Sequence, residues 1–370
     1  MSPKLTAFTL LATALLHAPL ATAKSTNPHQ RVEVVFVLDT TGSMADLIEG
    51  AKRKIWSIAT TIVETNPDTD ISMGLVAYRD REDAYVVRTT ALSDDIQGLY
   101  GKLVKLEADG GGDTPESVNE ALDVAINDLQ WSSGPGVKRI VFLVGDAPPH
   151  MDYAQERQYP EILRQAARRD IVVNTVQAGD MWETTPIWQE IAQFGHGRYM
   201  AIPQSGGEVS IVITPYDDDI LHLQMELDSS VVPYGDVKRR ADVSTKLREK
   251  AAAPKSVQIE NSEYYSKRTS KREVVTGGGD LLADIENKAV ELDKIDDKEL
   301  PAALQTETKA ARQAWVTEKL GRRQNLQSRM SELITKRDAF VAKQAANEAP
   351  ERVTDSFDRA VADTLKTQLN

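Results

Sequence analysis

The sequence predicts an α/β fold, a doubly wound parallel sheet of six strands flanked by helices, followed by a mainly helical C-terminal region. Three observations predict it. Short β-branched runs such as Val34 to Leu38, Ile140 to Val144 and Ile171 to Gln177 lack the polar alternation of half-wet strands, so they read as strands buried on both faces. Between such runs lie stretches with apolar residues three and four apart, as in Ile48, Ala51, Ile55, Ile58 and Ile62, the spacing of an amphipathic helix. Past Pro203 the alternation ends and helical spacing continues on a charged background. Alternating strands and helices imply right-handed crossovers in a parallel sheet, and 370 residues suffice for two domains at roughly 150 residues each.

In chain order, Met1 to Ala23 carries Lys4, an apolar stretch through Leu20 and the small residues Ala21-Thr22-Ala23, the pattern of a secretory signal cut after Ala23. His17 and Pro19 interrupt it, which favours a signal over a membrane anchor, and no later segment is apolar for long enough to span a bilayer. Residues 24–30 read as a polar, disordered lead-in to a domain over 31–214. There, strand Val34–Leu38 leads to a helix from Met44 to Glu64, the turn Asn66-Pro67-Asp68, a strand from Ile71 to Tyr78, a charged loop from Arg79 to Asp83 and a strand from Ala84 to Leu92. A short helix from Ile96 to Leu106 precedes the glycine loop Gly110-Gly111-Gly112. Pro115 and Glu116 are expected to start the next helix, with Ala121, Leu122, Ala125, Ile126 and Leu129 buried. A fourth strand, Ile140–Val144, is followed by a helix around Ile162 to Ala167, a fifth strand, Ile171–Gln177, a helix from Pro186 to Phe194 and a sixth strand, Arg198–Ile202. Ser210 to Thr214 is expected to begin a last helix of this domain.

Residues 215–279 read as a connector with some helix. Asp217-Asp218-Asp219 is helix-start chemistry there, since its spacing does not match a Ca²⁺ loop. Residues 280–370 read as a helical, coiled-coil-like region. Leu281, Leu282, Ile285, Ala289 and Leu292 form one stripe, and Leu326, Met330, Leu333 and Phe340 a second, as in a helical hairpin. Pro350 ends this part, and Val353, Phe357, Val361 and Leu365 outline a final helix.

A formal net charge of −12 argues against nucleic acid as a partner, and the basic patches Lys238-Arg239-Arg240 and Lys267 to Arg272 read as solvated faces. The chain has no cysteine, so an exported protein of this kind gains nothing from disulfides. A bacterial periplasmic or secreted setting is expected.

The chemistry concentrates where the first strand ends, in Asp39-Thr40-Thr41-Gly42-Ser43-Met44. Asp39, Thr41 and Ser43 alternate at the carboxyl edge of a strand, the edge where open α/β sheets bind ligands. One carboxylate and two hydroxyls suit a hard cation such as Mg²⁺; taken alone they equally suit a turn that caps a helix. The stretch resembles the von Willebrand factor type A domain, whose metal-ion-dependent adhesion site begins Asp-x-Ser-x-Ser, with Thr41 keeping the hydroxyl where the family more often has Ser. The resemblance covers residues 31–203. It implies that Thr114, in Asp113-Thr114-Pro115-Glu116, and Asp146, in Val144-Gly145-Asp146-Ala147-Pro148-Pro149, complete the site. It also implies an antiparallel edge, the third strand, in a mostly parallel sheet. By the same resemblance, Ser43 and Thr41 coordinate Mg²⁺ directly (Mn²⁺ and Ca²⁺ being alternatives), Thr114 approaches when a ligand is present, and Asp39 and Asp146 act largely through water. An Asp or Glu of a partner protein then takes the open position. The implied function is a metal-dependent adhesion or assembly module rather than an enzyme, with specificity in the loops Arg79–Asp83 and Pro148–Tyr153. His150 and Asp152 border the site without being read as ligands.

Rival readings meet obstacles. The loop Gly110–Gly112 lacks the Lys-Ser/Thr pair of a phosphate-binding loop, and its glycines fit better as backbone freedom that brings Thr114 close. A haloacid-dehalogenase-like phosphohydrolase using Asp39 would need a second Asp where Thr41 stands. Ser43 lies outside any Gly-x-Ser-x-Gly setting. A scaffold whose helical tail carries the main interaction, or self-associates, remains the alternative from a different class.

Overall fold

Asp39 lies at the end of a nine-residue strand, β1 (Arg31–Asp39), whose last eight side chains are all buried. The computed structural model describes residues 30–112, 114–207, 212–347 and 357–369. With β2 (Asp70–Tyr78), β3 (Val87–Ser93), β4 (Val137–Gly145), β5 (Ile171–Ala178) and β6 (His196–Ile202), β1 forms one sheet of order β3-β2-β1-β4-β5-β6. β3 pairs antiparallel with β2 and every other pairing is parallel, so the mostly parallel sheet with its antiparallel third strand is present.

The helices are α1 (Ala45–Thr65), α2 (Ile96–Leu103), α3 (Val118–Asp123), α4 (Tyr159–Arg168), α5 (Thr184–Phe194), α6 (Asp217–Ser229), α7 (Val237–Ala252), α8 (Lys255–Lys267), α9 (Leu281–Glu286), α10 (Ala302–Gln305), α11 (Lys309–Asn347) and α12 (Phe357–Leu369). Val34, Phe36 and Leu38 face a layer built from α1, α2, α8 and α12, while Val35 and Val37 face one built from α3, α4 and α5. That is the two-residue alternation of a strand with an apolar layer on each side. β2 follows β1 on one flank and β4 lies on the other, so the carboxyl ends of β1 and β4 form the topological switch point of the sheet.

The expected starts of two helices shift. Glu116 does not begin a helix: it is extended, bridges Pro149, donates its N–H to the Pro148 carbonyl (2.9 Å) and accepts from the His150 N–H (3.0 Å). These bonds between loops override the local helix-start chemistry, and α3 begins at Val118. Residues 212–214 are not helical, and α6 starts at Asp217, whose carboxylate accepts from the Thr214 N–H (3.0 Å) and hydroxyl (2.5 Å). Residues 1–29, with the signal and nearly all of the lead-in, lie outside the described residues, as do Ser210, Pro350 and Val353.

The stretch read as a connector contains α6, α7 and α8. Leu292 does not continue the stripe of Leu281 and Leu282, because α9 stops at Glu286 and Leu292 sits in a separate short turn. α11 packs along α6 and α8 rather than folding back on one hairpin partner. This helical layer rests on the sheet domain through Trp56, whose ring meets those of Tyr264 and Tyr265 at 5.4 and 5.9 Å, and through the pairs Lys54–Glu260 (2.9 Å) and Lys246–Asp95 (2.6 Å).

Within the helical layer, Arg323 is fully buried, pairs with Asp280 at 2.6 Å and donates from Nε to the Ser230 hydroxyl at 2.9 Å. Breaking a buried pair from one side strands the other charge. We therefore expect Arg323→Ala to lower the stability measured by urea unfolding by about 3–5 kcal/mol; a loss under about 1 kcal/mol would contradict this account of the pair.

Candidate functional site

Asp39 is fully buried, and its two carboxylate oxygens have different surroundings. Oδ1 accepts from the Thr41 N–H (2.8 Å) and the Thr41 hydroxyl (2.7 Å), whereas Oδ2 has no hydrogen-bond partner among the described residues. The hydroxyls of Thr41 and Ser43 lie 3.3 Å apart, Thr41 buried and Ser43 exposed. The alternating spacing seen in the sequence thus becomes a run of oxygen atoms from the interior to the surface.

Backbone bonds stitch the neighbouring loops to this run. The Gly42 N–H donates to the Gly110 carbonyl (3.1 Å) and the Asp109 N–H to the Thr40 carbonyl (3.1 Å). Gly110 and Gly111 have φ of +81° and +74°, and a Cβ on Gly111 would come within 2.8 Å of the Thr41 Cβ. The expected unusual backbone angles are therefore present, and the close approach they allow is of Gly111 to Thr41 rather than of Thr114. Asp146 follows β4; its Oδ2 accepts from Gln204 Nε2 (2.7 Å), which also donates to the Ser43 carbonyl (3.2 Å). Gly145 leaves no room for a side chain, since its Cβ would lie 2.5 Å from the Tyr78 hydroxyl and 3.0 Å from the Asp39 Cβ.

Of the five residues expected at the site, Asp39, Thr41 and Ser43 are joined directly, and Gln204 ties Asp146 to them. Thr114 is exposed on the adjoining loop, and among the described residues no hydrogen bond ties its hydroxyl to the other four. The sequence reading missed Glu116. It is 3 % exposed, its Oε2 has no hydrogen-bond partner among the described residues, and its Oε1 lies 3.3 Å from where a Gly111 Cβ would be. A signal was available: Thr114 and Glu116 repeat the two-residue spacing of Asp39, Thr41 and Ser43, which puts side chains on one side when the backbone is extended.

These acids act on one another. Burial and then the charge of Asp146 push Asp39 up to about 7, against the pull of the Thr41 hydrogen bonds and Arg79. Burial followed by Asp39, Asp80, Asp83 and Asp146 pushes Glu116 up to about 9. The Tyr78 phenol, buried and without a partner, is also raised by burial and by Asp39, Glu116 and Asp146. Asp80, in contrast, accepts from Ser117 and Tyr153 (both 2.9 Å) and lies 3.5 Å from His150 Nε2. His150 is buried rather than on the surface, stacked on Tyr153 at 3.9 Å, so it helps hold the loop Pro148–Tyr153 against the loop Arg79–Asp83.

The donors fit a hard divalent cation. All are oxygens, two carboxylate oxygens in the interior are unpartnered, and positive charge would relieve their repulsion. Among the described residues no three His, Cys, Asp or Glu side chains group closely enough to hold a metal alone, which leaves part of the coordination to hydroxyls and water.

Residues 33–214 match the family model of the von Willebrand factor A domain. An ariadne-like RING finger protein of Acanthamoeba polyphaga mimivirus is 32% identical over 123 residues, 32% of this chain and 11% of that protein. An alpha-protein kinase of Dictyostelium discoideum is 29% identical over 130 residues, 35% of this chain and 20% of that one. The chain thus spans a fifth or less of these relatives. Among solved structures, BatB of Bacteroides thetaiotaomicron is similar at 18% identity and a TM-score of 0.35, covering 47% of this chain and 90% of that one. The segment matching the von Willebrand factor A domain contains every residue of the site described above.

Asp39 and Glu116 keep protons in the fold that they lose near their ordinary values of 3.8 and 4.5 when unfolded. This contribution is fully present below those ordinary values and is lost as pH rises through about 7 for Asp39 and about 9 for Glu116. In chelator, we expect a lower melting temperature at about pH 8 than at about pH 5. Other buried acids, Glu263 and Glu273 among them, are shifted upward too, so the double variant Asp39→Asn/Glu116→Gln isolates the pair by flattening the trend. An unchanged pH trend in that variant would refute the assignment.

Proposed function

We propose that this protein is a metal-dependent binding module for other proteins, in which a Mg²⁺ ion at the carboxyl edge of the sheet receives an Asp or Glu of the partner. The observation that carries this reading is the pair of buried, unpartnered oxygens, Asp39 Oδ2 and Glu116 Oε2, at the switch point of the sheet beside the exposed Ser43. Ser43 and Thr41 would hold the cation by their hydroxyls and Asp39 and Asp146 largely through water, with Thr114 approaching from its loop. Mn²⁺ or Ca²⁺ could substitute, since the donors are all oxygen. The bound cation supplies an open coordination position that a carboxylate can fill.

The chain's own residues prepare that position. With a divalent cation bound, the carboxylates of Asp39 and Asp146 would oppose its two positive charges with two negative ones, leaving the ion neutral and unsaturated. Thr41, bonded to Asp39 Oδ1, orients the buried carboxylate, and Gln204 orients Asp146. The loops Arg79–Asp83 and Pro148–Tyr153, tied together through Asp80, Tyr153 and His150, flank the opening and would select the partner.

A phosphohydrolase reading is not supported by this geometry. Thr41, at the position where an acid–base carboxylate would be required, is committed to Asp39. We also infer export, on the signal-like leader of residues 1–23, with a periplasmic or secreted destination. No helix of the described residues is long and apolar enough to cross a membrane.

Titration calorimetry with Mg²⁺ and Mn²⁺ tests the centre. We expect saturable uptake by the wild type and about 10–100-fold weaker uptake by Asp39→Asn, with capture of envelope proteins abolished by chelator. Absence of uptake of either ion would sink the reading.

A further inference from the structure

Two tryptophans that follow β5 have opposite surroundings. Trp188 of α5 is fully buried, and its indole N–H donates to the Ala147 carbonyl (3.2 Å). Trp182, in the loop between β5 and α5, is 77 % exposed and packs in neither apolar layer of the sheet. A ring of this size that adds nothing to the core is the kind of side chain that anchors contacts between proteins.

The loop that carries it is fixed. The Met181 carbonyl, directly before Trp182, accepts from Gln177 Nε2 (3.1 Å) and from the Thr184 and Thr185 N–H groups (3.2 and 3.3 Å). The Thr184 hydroxyl donates to the Asp146 carbonyl (2.9 Å), and Gln204, which bonds the Asp146 carboxylate, approaches Gly179 too closely to admit a Cβ there. Two residues of chain span at most about 7 Å, so the Trp182 Cα lies within that distance of the Thr184 Cα, on the Asp146 side of the carboxyl edge. An aromatic side chain on an anchored loop needs little ordering when a partner covers it.

The charges beside the ring select what covers it. Asp180 and Glu183 flank Trp182, both are exposed, and neither pairs with a cation among the described residues. Glu183 stands at the N-cap of α5 without a side-chain cap bond, so its carboxylate is not committed to the helix. An apolar side chain laid on the ring would screen these carboxylates from water without partnering them, and an acidic one would be repelled. A cation meets both demands. The face of tryptophan is the best aromatic partner for an ammonium or guanidinium, and the carboxylates accept its N–H groups. Arginine fits better than lysine, because its planar fork stacks and pairs at once.

We propose that Trp182, with Asp180 and Glu183, docks an arginine or lysine of the partner protein, close in that partner to the acid that reaches the carboxyl edge. This rests on the metal-dependent reading above and specifies its partner: the basic residue stands about two to four positions from the acid, the reach of a short extended segment at about 3.3–3.6 Å per residue. Such a neighbour also offsets the repulsion that a chain of formal net charge −12 exerts on an isolated acid.

The probe is a library of random peptides displayed on phage and selected on the immobilised full chain, in Mg²⁺ and in chelator. On the wild type we expect Asp or Glu to be enriched in Mg²⁺ alone, with Arg or Lys enriched about two to four positions away. On Trp182→Ala the acid should persist and the basic preference vanish. A synthetic copy of a selected peptide should bind that variant about three- to tenfold more weakly by calorimetry, while Met225→Ala, another exposed apolar side chain but on α6, should leave its affinity unchanged. Asp180→Asn/Glu183→Gln should reduce the same preference with the ring in place. Acids selected without a basic neighbour, or a basic preference that survives in Trp182→Ala, would overturn the docking point and leave the metal reading standing. Absence of acid selection, or its persistence in chelator, would instead defeat the metal reading and the docking point with it.

Discussion

The mutual repulsion of Asp39, Glu116 and Asp146 is the constraint on which the carboxyl edge of this protein depends. Three acids brought together out of water do not stay together by their own chemistry: burial first, and then the neighbouring acids, push Asp39 and Glu116 upward. They are held by geometry. The parallel ladder places Asp39 opposite Tyr78 and Leu38 opposite Val144, so Asp146 emerges beside Asp39 whatever the charges prefer. Backbone bonds from Gly42 to Gly110 and from Glu116 to Pro148 then hold the loops over the strand ends. An arrangement that concentrates acids in a rigid, partly dry crevice, closed in by the packing at Gly145 and Gly111, would suit a small, hard cation, the reading proposed above.

The rigidity comes from apolar layers on both faces of the sheet. Each fully buried Val, Leu or Ile contributes about 1.5–3 kcal/mol relative to exposure, and β1 alone supplies several such side chains to two opposed layers. On one face the helical part of the chain completes the layer. Trp56 of α1 packs on Tyr264 and Tyr265 of α8, and Phe357 of α12 meets Phe36 of β1 at 6.2 Å. The final helix therefore returns to the sheet after α11 and helps cover the strand that ends in Asp39. The helical layer and the site are thus parts of one packing problem.

What the sequence made legible follows the same division. Strands buried on both faces reveal themselves because nearly every residue must be apolar, and Asp39 is conspicuous because it ends such a run. Asp146 was equally visible after β4. Glu116 was not, since Pro-Glu is good helix-start chemistry in isolation and only the bonds to Pro148 and His150, far away in sequence, make it extended. The helices of residues 217–267 were obscured for a different reason. α7 buries little beyond Val243 and Lys250, and α8 is wedged between α1, α6 and α11, so neither shows one clean apolar stripe. Leu281 and Leu292 fit a single helical face by spacing yet belong to separate turns, because spacing cannot report where a chain is interrupted.

Charge bears on how such a site can work. A chain with a formal net charge of −12 repels an acidic partner at long range, and the acids around Asp39 add to that locally. At physiological ionic strength this repulsion is screened beyond about 8 Å, while the cation proposed at the carboxyl edge would act over a single bond length. Discrimination is then left to short-range terms: whether a carboxylate reaches the crevice, and whether the loops anchored by Asp80, Tyr153 and His150 fit what surrounds it. In the reading proposed above, a surface that repels acidic proteins in general and would accept one carboxylate at one point would bind few wrong partners, since each would have to overcome the field without the compensating bond.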